Sequence, residues 1–187
     1  MNVVLENITK SFSATPVIDG FSFTFHPGTV YALQGPSGSG KTTVLRILSG
    51  LETPTSGVLQ IPQGFRISYD FQEPRLFSHL SVRDNLMIHD PERDVDAVLQ
   101  ALDLLDSADK FPHELSGGMK KRVSIARALL KEADLYLFDE PTAGQDEMRR
   151  QLIADAILQH TKNSVCIIAT HDAELTNAVH AQILNIR

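Results

Sequence analysis

The sequence contains a single cysteine among its 187 residues, Cys166, so the chain cannot form an internal disulfide. No apolar segment approaches the roughly 18 residues that a membrane-spanning helix needs, and the N-terminal residues lack the pattern of a secretion signal. Cys166 lies in the apolar run from Val165 to Ala169, where we expect a buried, unreactive side chain. These absences predict a protein of a reducing compartment in which another subunit makes any membrane crossing.

Positive charge is also scarce. The chain has 17 Lys and Arg against 23 Asp and Glu, which gives a net charge of −6. An acidic balance argues against nucleic acid as the main partner and against attachment to anionic lipid by bulk charge. The one basic run, Lys120-Lys121-Arg122, falls in a predicted helix, where we expect a solvated face. The length and a hydrophobic content of 42% suit one globular domain over residues 1–187.

A glycine-rich segment carries the strongest functional signal. It matches the phosphate-loop pattern Gly-x-x-x-x-Gly-Lys-Ser/Thr. Its residues are Gly35, Pro36, Ser37, Gly38, Ser39, Gly40, Lys41 and Thr42. An apolar strand precedes it and a helical pattern follows, so backbone amides and the helix dipole would converge on an anion. We predict that Lys41 reaches the outer phosphates and that the Thr42 hydroxyl binds Mg²⁺.

A glycine-rich turn with a solvent-facing lysine is the alternative for this segment. A lysine in the first turn of a helix has the wrong charge for the helix dipole unless an anion is bound there. The sequence therefore favours a phosphate-binding loop.

Two acids follow a second apolar strand. Leu135 to Phe138 lead directly into Asp139, Glu140 and Pro141. In α/β folds the carboxyl ends of the strands form the ligand-binding edge. We predict that Asp139 binds Mg²⁺ together with Thr42, and that Glu140 polarises a water for attack on the γ-phosphate. The alternative is that the two acids merely open an ordinary turn before Pro141. This interpretation is the weaker one because the chain also carries a phosphate loop.

Strand and helix patterns alternate along most of the chain. Predicted strands cover residues 3–8, 17–25, 30–33, 58–61, 66–71, 135–138, 165–170 and 183–186, with a helix at 147–160. Residues 73 to about 116 instead show apolar spacing typical of helices and predict a small helical subdomain inserted in the domain. We predict an α/β fold with a mostly parallel central sheet covered by helices on both faces and an antiparallel β portion near the N-terminus.

A third motif lies upstream of the acid-tipped strand. Leu115, Ser116, Gly117, Gly118 and Met119 precede a helical pattern, so they form a candidate second anion site at a helix N-terminus. With this motif, the chain closely resembles, nearly end to end, the nucleotide-binding subunit of an ATP-binding-cassette (ABC) transporter. The resemblance implies the P-loop NTPase fold of ABC ATPases.

The resemblance also implies roles for individual residues. Residues 35–43, including Thr43, match the ATP-binding Walker A loop, and Leu135 to Asp139 match Walker B with Glu140 as the catalytic carboxylate. Leu115 to Met119 match the signature motif of the family. Further positions match a Mg²⁺-sensing glutamine, a switch histidine that contacts the γ-phosphate, and an aromatic residue that stacks on adenine. These are Gln72, His171 and Phe12, respectively.

Family members work as head-to-tail dimers, in which each ATP lies between the phosphate loop of one protomer and the signature motif of its partner. The resemblance therefore implies a homodimer or paired cassette in the ATP-bound state and separate integral membrane permease subunits. A solute-binding protein is a further possible partner, and no nucleic acid is expected. The resemblance also implies that the chain lies at the cytoplasmic face of the cell membrane.

Two segments bear on the details of function. Phe71 to Phe77 and Leu80 to Asn85 look like the corresponding region of importers for nitrate, sulfonates, taurine and related small solutes. The segment Ala143-Gly144-Gln145-Asp146 departs from the Ser-Ala-Leu-Asp that the family usually carries after Walker B. The departure falls in the loop that crosses the dimer interface.

Two other function classes remain open at this level. A soluble ABC-type ATPase acting on nucleic acid or ribosomes would show salt-sensitive nucleic-acid binding. A nucleotide-binding regulator would fail to turn over ATP even at high protein concentration. Glu140 and His171 disfavour the regulator, because binding alone needs neither.

Overall fold

The computed structural model describes residues 1–88 and 91–186. Eight strands are found there, at β1 Val3–Ser11, β2 Pro16–Phe25, β3 Val30–Gln34, β4 Ser56–Gln60, β5 Ile67–Asp70, β6 Leu135–Asp139, β7 Val165–Ala169 and β8 Gln182–Asn185. The α-helices are α1 Lys41–Leu48, α2 Val82–Met87, α3 Asp96–Ala101, α4 Gly117–Leu130, α5 Glu147–His160 and α6 Ala173–Ala178.

The N-terminal strands form an antiparallel sheet in the order β2-β1-β4. Val3 pairs with Phe25 and Leu5 with both Phe23 and Leu59. Leu5 and Phe25 are buried, and Phe23 and Leu59 pack against the same core. This sheet therefore covers one face of the structure through its apolar side.

The central sheet has five parallel strands in the order β5-β6-β7-β3-β8. Strands β6 and β7 are buried along their whole length, as expected for inner strands covered on both faces. Side chains alternate between two cores. Leu135 and Leu137 pack beside α1, whereas Tyr136 and Phe138 pack beside α4 and α5. The predicted α/β fold, with a parallel central sheet and an antiparallel portion, is confirmed.

Between β5 and α4 the chain forms the short helices α2 and α3 and two 3₁₀ turns, Leu105–Ser107 and Pro112–Glu114. Val82, Leu86 and Leu99 from this segment share a core with residues of α4. This is the stretch in which a helical subdomain over 73–116 was predicted. His89 and Asp90 of that stretch lie outside the described residues.

The prediction of a solvated face at Lys120-Lys121-Arg122 was wrong for two of the three residues. Lys121 and Arg122 are only 3% and 4% exposed. Lys121 pairs with Asp70 at 2.8 Å, and Arg122 donates to Gln145 Oε1 at 3.0 Å. Both cations are buried because distant parts of the chain supply acceptors for them.

Cys166 is fully buried, and burial raises the pKa of its thiol to about 12. The thiol therefore stays protonated and poorly nucleophilic, as the sequence predicts. Among the described residues, no helix is both long enough and apolar enough to cross a membrane.

Candidate active site

The phosphate loop connects the end of β3 to the start of α1, and two of its glycines are required by close contacts. A Cβ at Gly35 would lie 2.4 Å from the carbonyl oxygen of Ile186. Gly40 has φ of +94°, and a Cβ there would lie 3.0 Å from both the Val17 carbonyl and the Ile18 side chain. The residue after β8 and the start of β2 thus lie so close to the loop that these two positions have no room for a side chain.

Polar groups of the loop converge at the N-terminus of α1. Lys41 Nζ donates to the carbonyls of Gly35 at 2.8 Å and Pro36 at 3.0 Å, which uses two of its three N–H donors. Helix α1 has no side-chain cap and no acid in its first turn. Ser39 Oγ is buried without a hydrogen-bond partner among the described residues. This donor-rich, uncapped helix start fits an anion with several oxygen acceptors.

Asp139 lies at the carboxyl end of β6, opposite Thr42. The side chains of Thr42 and Tyr69 lie beside the Asp139 carboxylate in one cleft. Burial raises the pKa of Asp139, while the neighbouring Thr42 hydroxyl and the Lys121 charge oppose that rise. Thr42 and Asp139 line a cleft of about 270 Å³, and Gln72 lines the same cleft.

This donor set fits a Mg²⁺ ion that is completed by phosphate oxygens. Mg²⁺ in ATPase sites is bound by one or two carboxylates and substrate phosphates rather than by an all-protein cage. Within residues 1–88 and 91–186, no three His, Cys, Asp or Glu side chains form a metal-binding cluster. The structure places Thr42, Gln72 and Asp139, all predicted from sequence, in the lining of one cleft.

Glu140 and His171 meet at the same edge of the sheet. His171 Nδ1 lies 2.9 Å from Glu140 Oε1, and the Thr170 hydroxyl donates to Glu140 Oε2 at 3.2 Å. Glu140 has φ of +46°, and its amide donates to the Ala169 carbonyl at 2.8 Å. Two contacts to its oxygens and a fixed backbone thus orient the carboxylate. The Glu140 side chain is 15% exposed and that of His171 79%.

Ser116 caps α4 and is exposed. Its hydroxyl accepts from the Met119 amide at 3.2 Å, and Gly117 and Gly118 form the first turn of the helix. An added Cβ at Gly117 would meet no atom within 4 Å, so this helix end is open for a partner. The signature motif is therefore presented at the surface, while the phosphate loop begins a different helix.

Gln145 connects the atypical loop after Walker B to the signature helix. Its side chain is 9% exposed, donates to the Gly118 carbonyl at 3.0 Å and accepts from Arg122 at 3.0 Å. The leucine that the family usually carries here could make neither contact. In this chain the loop is thus bonded to the signature helix of the same protomer.

We expect Gln145→Leu to lower the free energy of unfolding by about 1–3 kcal/mol, because it leaves the buried Arg122 guanidinium without its best acceptor. Denaturant unfolding followed by circular dichroism measures this change. Gln151→Leu is the matched control, since Gln151 is an exposed residue of α5, and it should change stability by less than about 0.5 kcal/mol. Equal stabilities of the two variants would contradict this role of Gln145.

Phe12 lies apart from the other predicted residues, in the turn between β1 and β2. It is 61% exposed, and Lys10 Nζ lies 4.8 Å from the centre of its ring. The turn leads into Val17 and Ile18, which contact the phosphate loop at Gly40. Adenine stacking on Phe12 stays a prediction.

Sequence reasoning missed four residues that contact the predicted site. They are Tyr69, Lys121, Gln145 and Thr170. Thr170 had a signal in the sequence, since it directly precedes His171 at the end of a strand, and Gln145 belongs to the loop that departs from the family pattern. Tyr69 and Lys121 are identified only by contacts between segments far apart in the chain.

Comparisons with known proteins bear on this arrangement. A family model described as ABC transporter matches residues 18–143. The Fe(3+) ions import ATP-binding protein FbpC 1 of Haemophilus influenzae is 38% identical, over 97% of this chain and 62% of its own length. The aliphatic sulfonates import ATP-binding protein SsuB of Granulibacter bethesdensis is 38% identical, over 92% of this chain and 74% of its own length. The chain thus spans about three-fifths of the iron-import relative.

Solved structures agree on the fold. One described as the ATP binding subunit of an ABC transporter superposes with a TM-score of 0.89 at 22% identity, covering 100% of this chain and 86% of its own. The ATP-binding cassette MJ0796, solved as a dimer bound to ADP and Pi, gives 0.86 at 24% identity, with coverage of 99% and 94%. With a family model that covers residues 18–143 and relatives of 38% identity along nearly the whole sequence, the chain belongs to the ABC transporter family.

Proposed function

We propose that this chain is the ATP-hydrolysing subunit of an ABC transporter and drives solute import through separate membrane subunits. The observation that carries the proposal is the convergence of three predicted groups at one edge of the sheet. They are the Lys41–Thr42 loop end, the Asp139 carboxylate in the same cleft as Thr42, and the Glu140–His171 pair. Phosphate binding alone requires only the first of these groups.

ATP hydrolysis follows from this set in one displacement. The loop amides and Lys41 hold the phosphates, and a water attacks the γ-phosphorus while the bond to the β-phosphate oxygen breaks and ADP leaves. Glu140 accepts the proton of that water, with its carboxylate oriented by Thr170 and His171. Mg²⁺, held by Thr42 and Asp139 with Gln72 nearby, would neutralise charge on the phosphate oxygens.

Two anion sites on one chain support a head-to-tail dimer. The phosphate loop begins α1, whereas Ser116, Gly117 and Gly118 begin α4 at the surface. A two-fold axis would place the signature of each protomer over the ATP held by the other, so two nucleotides would close the dimer. Hydrolysis would remove that bridge and open the dimer.

We expect Ser116→Arg to leave ATP binding to the monomer unchanged and to prevent ATP-dependent dimerisation, because a long cation would occupy the space of the partner's nucleotide. Fluorescent-nucleotide titration measures the first property and light scattering after size-exclusion chromatography the second. Ser56→Arg is the matched control, because Ser56 is exposed at the start of β4, away from the predicted site residues. Dimerisation of the Ser116 variant with ATP would contradict the second anion site.

A second cleft, of about 290 Å³, is the proposed contact with the permease. Its lining includes Phe71, Arg75, Phe77, Ile88 and Arg127. Phe77 and Ile88 are 46% and 39% exposed, and the Arg75 guanidinium lies 4.0 Å from the centre of the Phe71 ring. Apolar side chains beside cations suit a cytoplasmic segment with an apolar face. Phe71 directly precedes Gln72, so a partner bound in this cleft would change the position of Gln72 at the nucleotide site.

Import of a small solute is the proposed direction of transport, with a solute-binding protein as a further partner. The support is that the relatives are named as import proteins, for Fe(3+) ions and for aliphatic sulfonates. The same proposal locates the chain at the cytoplasmic face of the cell membrane as a peripheral subunit.

Affinity capture tests the transporter role. Tagged Glu140→Gln protein is incubated with Mg-ATP and detergent-solubilised membranes of the source cells, and co-purifying proteins are identified by mass spectrometry. We expect a polytopic membrane protein in about equal amount, which is lost when Phe77→Ser is added. Recovery of ribosomal proteins, nucleic acid or no membrane protein would contradict the transporter role and leave ATP hydrolysis standing.

A further inference from the structure

Lys121 is a buried lysine whose ammonium group lies at the carboxyl edge of the central sheet. It belongs to α4 and is 3% exposed. Its Nζ lies 2.8 Å from Asp70 Oδ2 and donates to the carbonyls of Phe71 at 2.7 Å and Asp139 at 2.9 Å. Its Nζ also donates to the Gln72 carbonyl at 3.5 Å, so three carbonyls accept from its three N–H donors and Asp70 supplies the opposite charge. Lys121 is therefore not available to bind a ligand.

All of these partners lie at the ends of two neighbouring parallel strands. Asp70 ends β5 and Phe71 directly precedes Gln72, while Asp139 ends β6 and directly precedes Glu140. One side chain thus fixes the backbone on both sides of the cleft in which Mg²⁺ is proposed to bind. Ser124, one turn further along α4, donates to Asp70 at 2.6 Å and strengthens the same connection.

The helix that supplies Lys121 also carries the signature motif. Ser116 caps α4 only five positions before Lys121, on the part of the helix proposed to contact the nucleotide of the partner protomer. A shift of α4 would therefore move the ammonium group, and with it the carbonyls of Phe71 and Asp139. Among residues 1–88 and 91–186, no other side chain of α4 hydrogen-bonds to both strand ends.

We propose that Lys121 is a positioning residue that couples the signature end of α4 to the Mg²⁺ and water-activating groups of its own protomer. Contact of α4 with the ATP of one site would set the geometry of Gln72, Asp139 and Glu140 in the other. The inference rests on the proposed ATPase dimer and adds a route of communication between its two sites.

The test measures two quantities, ATP turnover at saturating ATP and the Mg²⁺ concentration that gives half-maximal turnover. It compares a double variant of Lys121 and Asp70, a single variant of Asp70 and a control variant of Lys131. Lys121→Met alone leaves Asp70 as a buried, unpaired carboxylate and endangers folding. The informative variant is therefore Lys121→Met with Asp70→Asn, which removes both charges and keeps an acceptor for Ser124. Asp70→Asn alone retains the contacts of Lys121 to the backbone carbonyls and separates the ion pair from the positioning role.

Lys131→Met is the matched control. Lys131 follows the last residue of α4 and donates to the Ile67 carbonyl at 2.7 Å, at the opposite end of β5. The contact joins the same helix to the same strand by the same chemistry, but far from the nucleotide edge. Thermal melting and fluorescent-nucleotide titration on all variants show that they fold and bind ATP.

We expect the double variant to bind ATP like the wild type, to lose turnover by about 10–100-fold and to need several-fold more Mg²⁺. Asp70→Asn should melt at a lower temperature than the wild type but keep its Mg²⁺ dependence. Lys131→Met should also keep the Mg²⁺ dependence of the wild type. If the double variant matches Lys131→Met, or Asp70→Asn loses as much turnover as the double variant, Lys121 has no positioning role. An inactive wild type would instead contradict the proposed ATPase function itself.

Discussion

Substitution of Lys41 by alanine is expected to abolish ATP binding at nucleotide concentrations that saturate the wild type. The ammonium is the cation of the phosphate loop, and hydrogen bonds to charged groups are worth about 1.5–3 kcal/mol each. Lys41 also donates to the carbonyls of Gly35 and Pro36, so its removal takes one donor from each and leaves Pro36 only its bond from the Ser39 amide at 3.2 Å. Titration with a fluorescent ATP analogue, followed by isothermal calorimetry, measures the loss.

The control for this variant is Lys162→Ala. Lys162 is an exposed lysine in the turn before β7, at the opposite edge of the sheet from the phosphate loop. It should leave ATP affinity unchanged, while both variants keep the same melting temperature within a few degrees. Unchanged affinity in the Lys41 variant would overturn the assignment of the loop.

Substitution of Glu140 by glutamine is expected to lower ATP turnover by about 10²–10⁴-fold, the usual contribution of a general base. Glutamine keeps the shape of the side chain and can still contact Thr170 and His171, but its amide cannot take a proton from water. ATP should bind normally, and the dimer should persist with ATP because the nucleotide is not consumed. Phosphate release and light scattering measure the two effects.

Glu132→Gln serves as the matched control for Glu140→Gln. Glu132 is an exposed acid that precedes β6, whereas Glu140 follows it, and it pairs with Arg66 at 3.0 Å. The same change of charge at that end of the strand should leave turnover unaffected. Normal hydrolysis by the Glu140 variant would exclude Glu140 as the base and leave the carboxylate with a structural role only.

Much of the nucleotide edge was predictable because its signals are local. The spacing of glycines around Lys41 and the acids that close an apolar strand each depend on a few consecutive residues. The parallel fold then follows from alternating strands and helices, since parallel strands need helical crossovers. The pairing of Thr42 with Asp139 was expected from the two motifs, whereas the order of the strands was not predicted and is known only from the structure. The catalytic roles of Glu140 and His171 stay predictions until the variants are measured.

What sequence reasoning could not supply is the set of long-range polar contacts. Lys121 contacts carbonyls that lie 50 and 18 positions away, and Arg122 pairs with a side chain 23 positions away. Charged residues are usually solvated, so a basic run on a helix predicts an exposed face. That rule fails here because two strand ends and one loop supply acceptors, and only the assembled fold reveals them.

A mixing experiment tests most directly whether each ATP site is built from two protomers. Lys41→Ala protein lacks a working phosphate loop but has an intact signature, and Ser116→Arg protein has the reverse. Each alone should be inactive, because every site in its dimer carries one defect. In a mixed dimer, one site combines the intact loop of one protomer with the intact signature of its partner.

Equal amounts of the two variants should therefore regain ATP turnover when mixed, up to about a quarter of the wild-type rate, because about half the dimers are mixed and each has one intact site. The recovered activity should rise with protein concentration and disappear when Glu140→Gln is added to the Ser116 variant, which supplies the working loop. Mixed protein that stays as inactive as its components would contradict the shared site, and with it the account of this chain as an ATP-closed dimer.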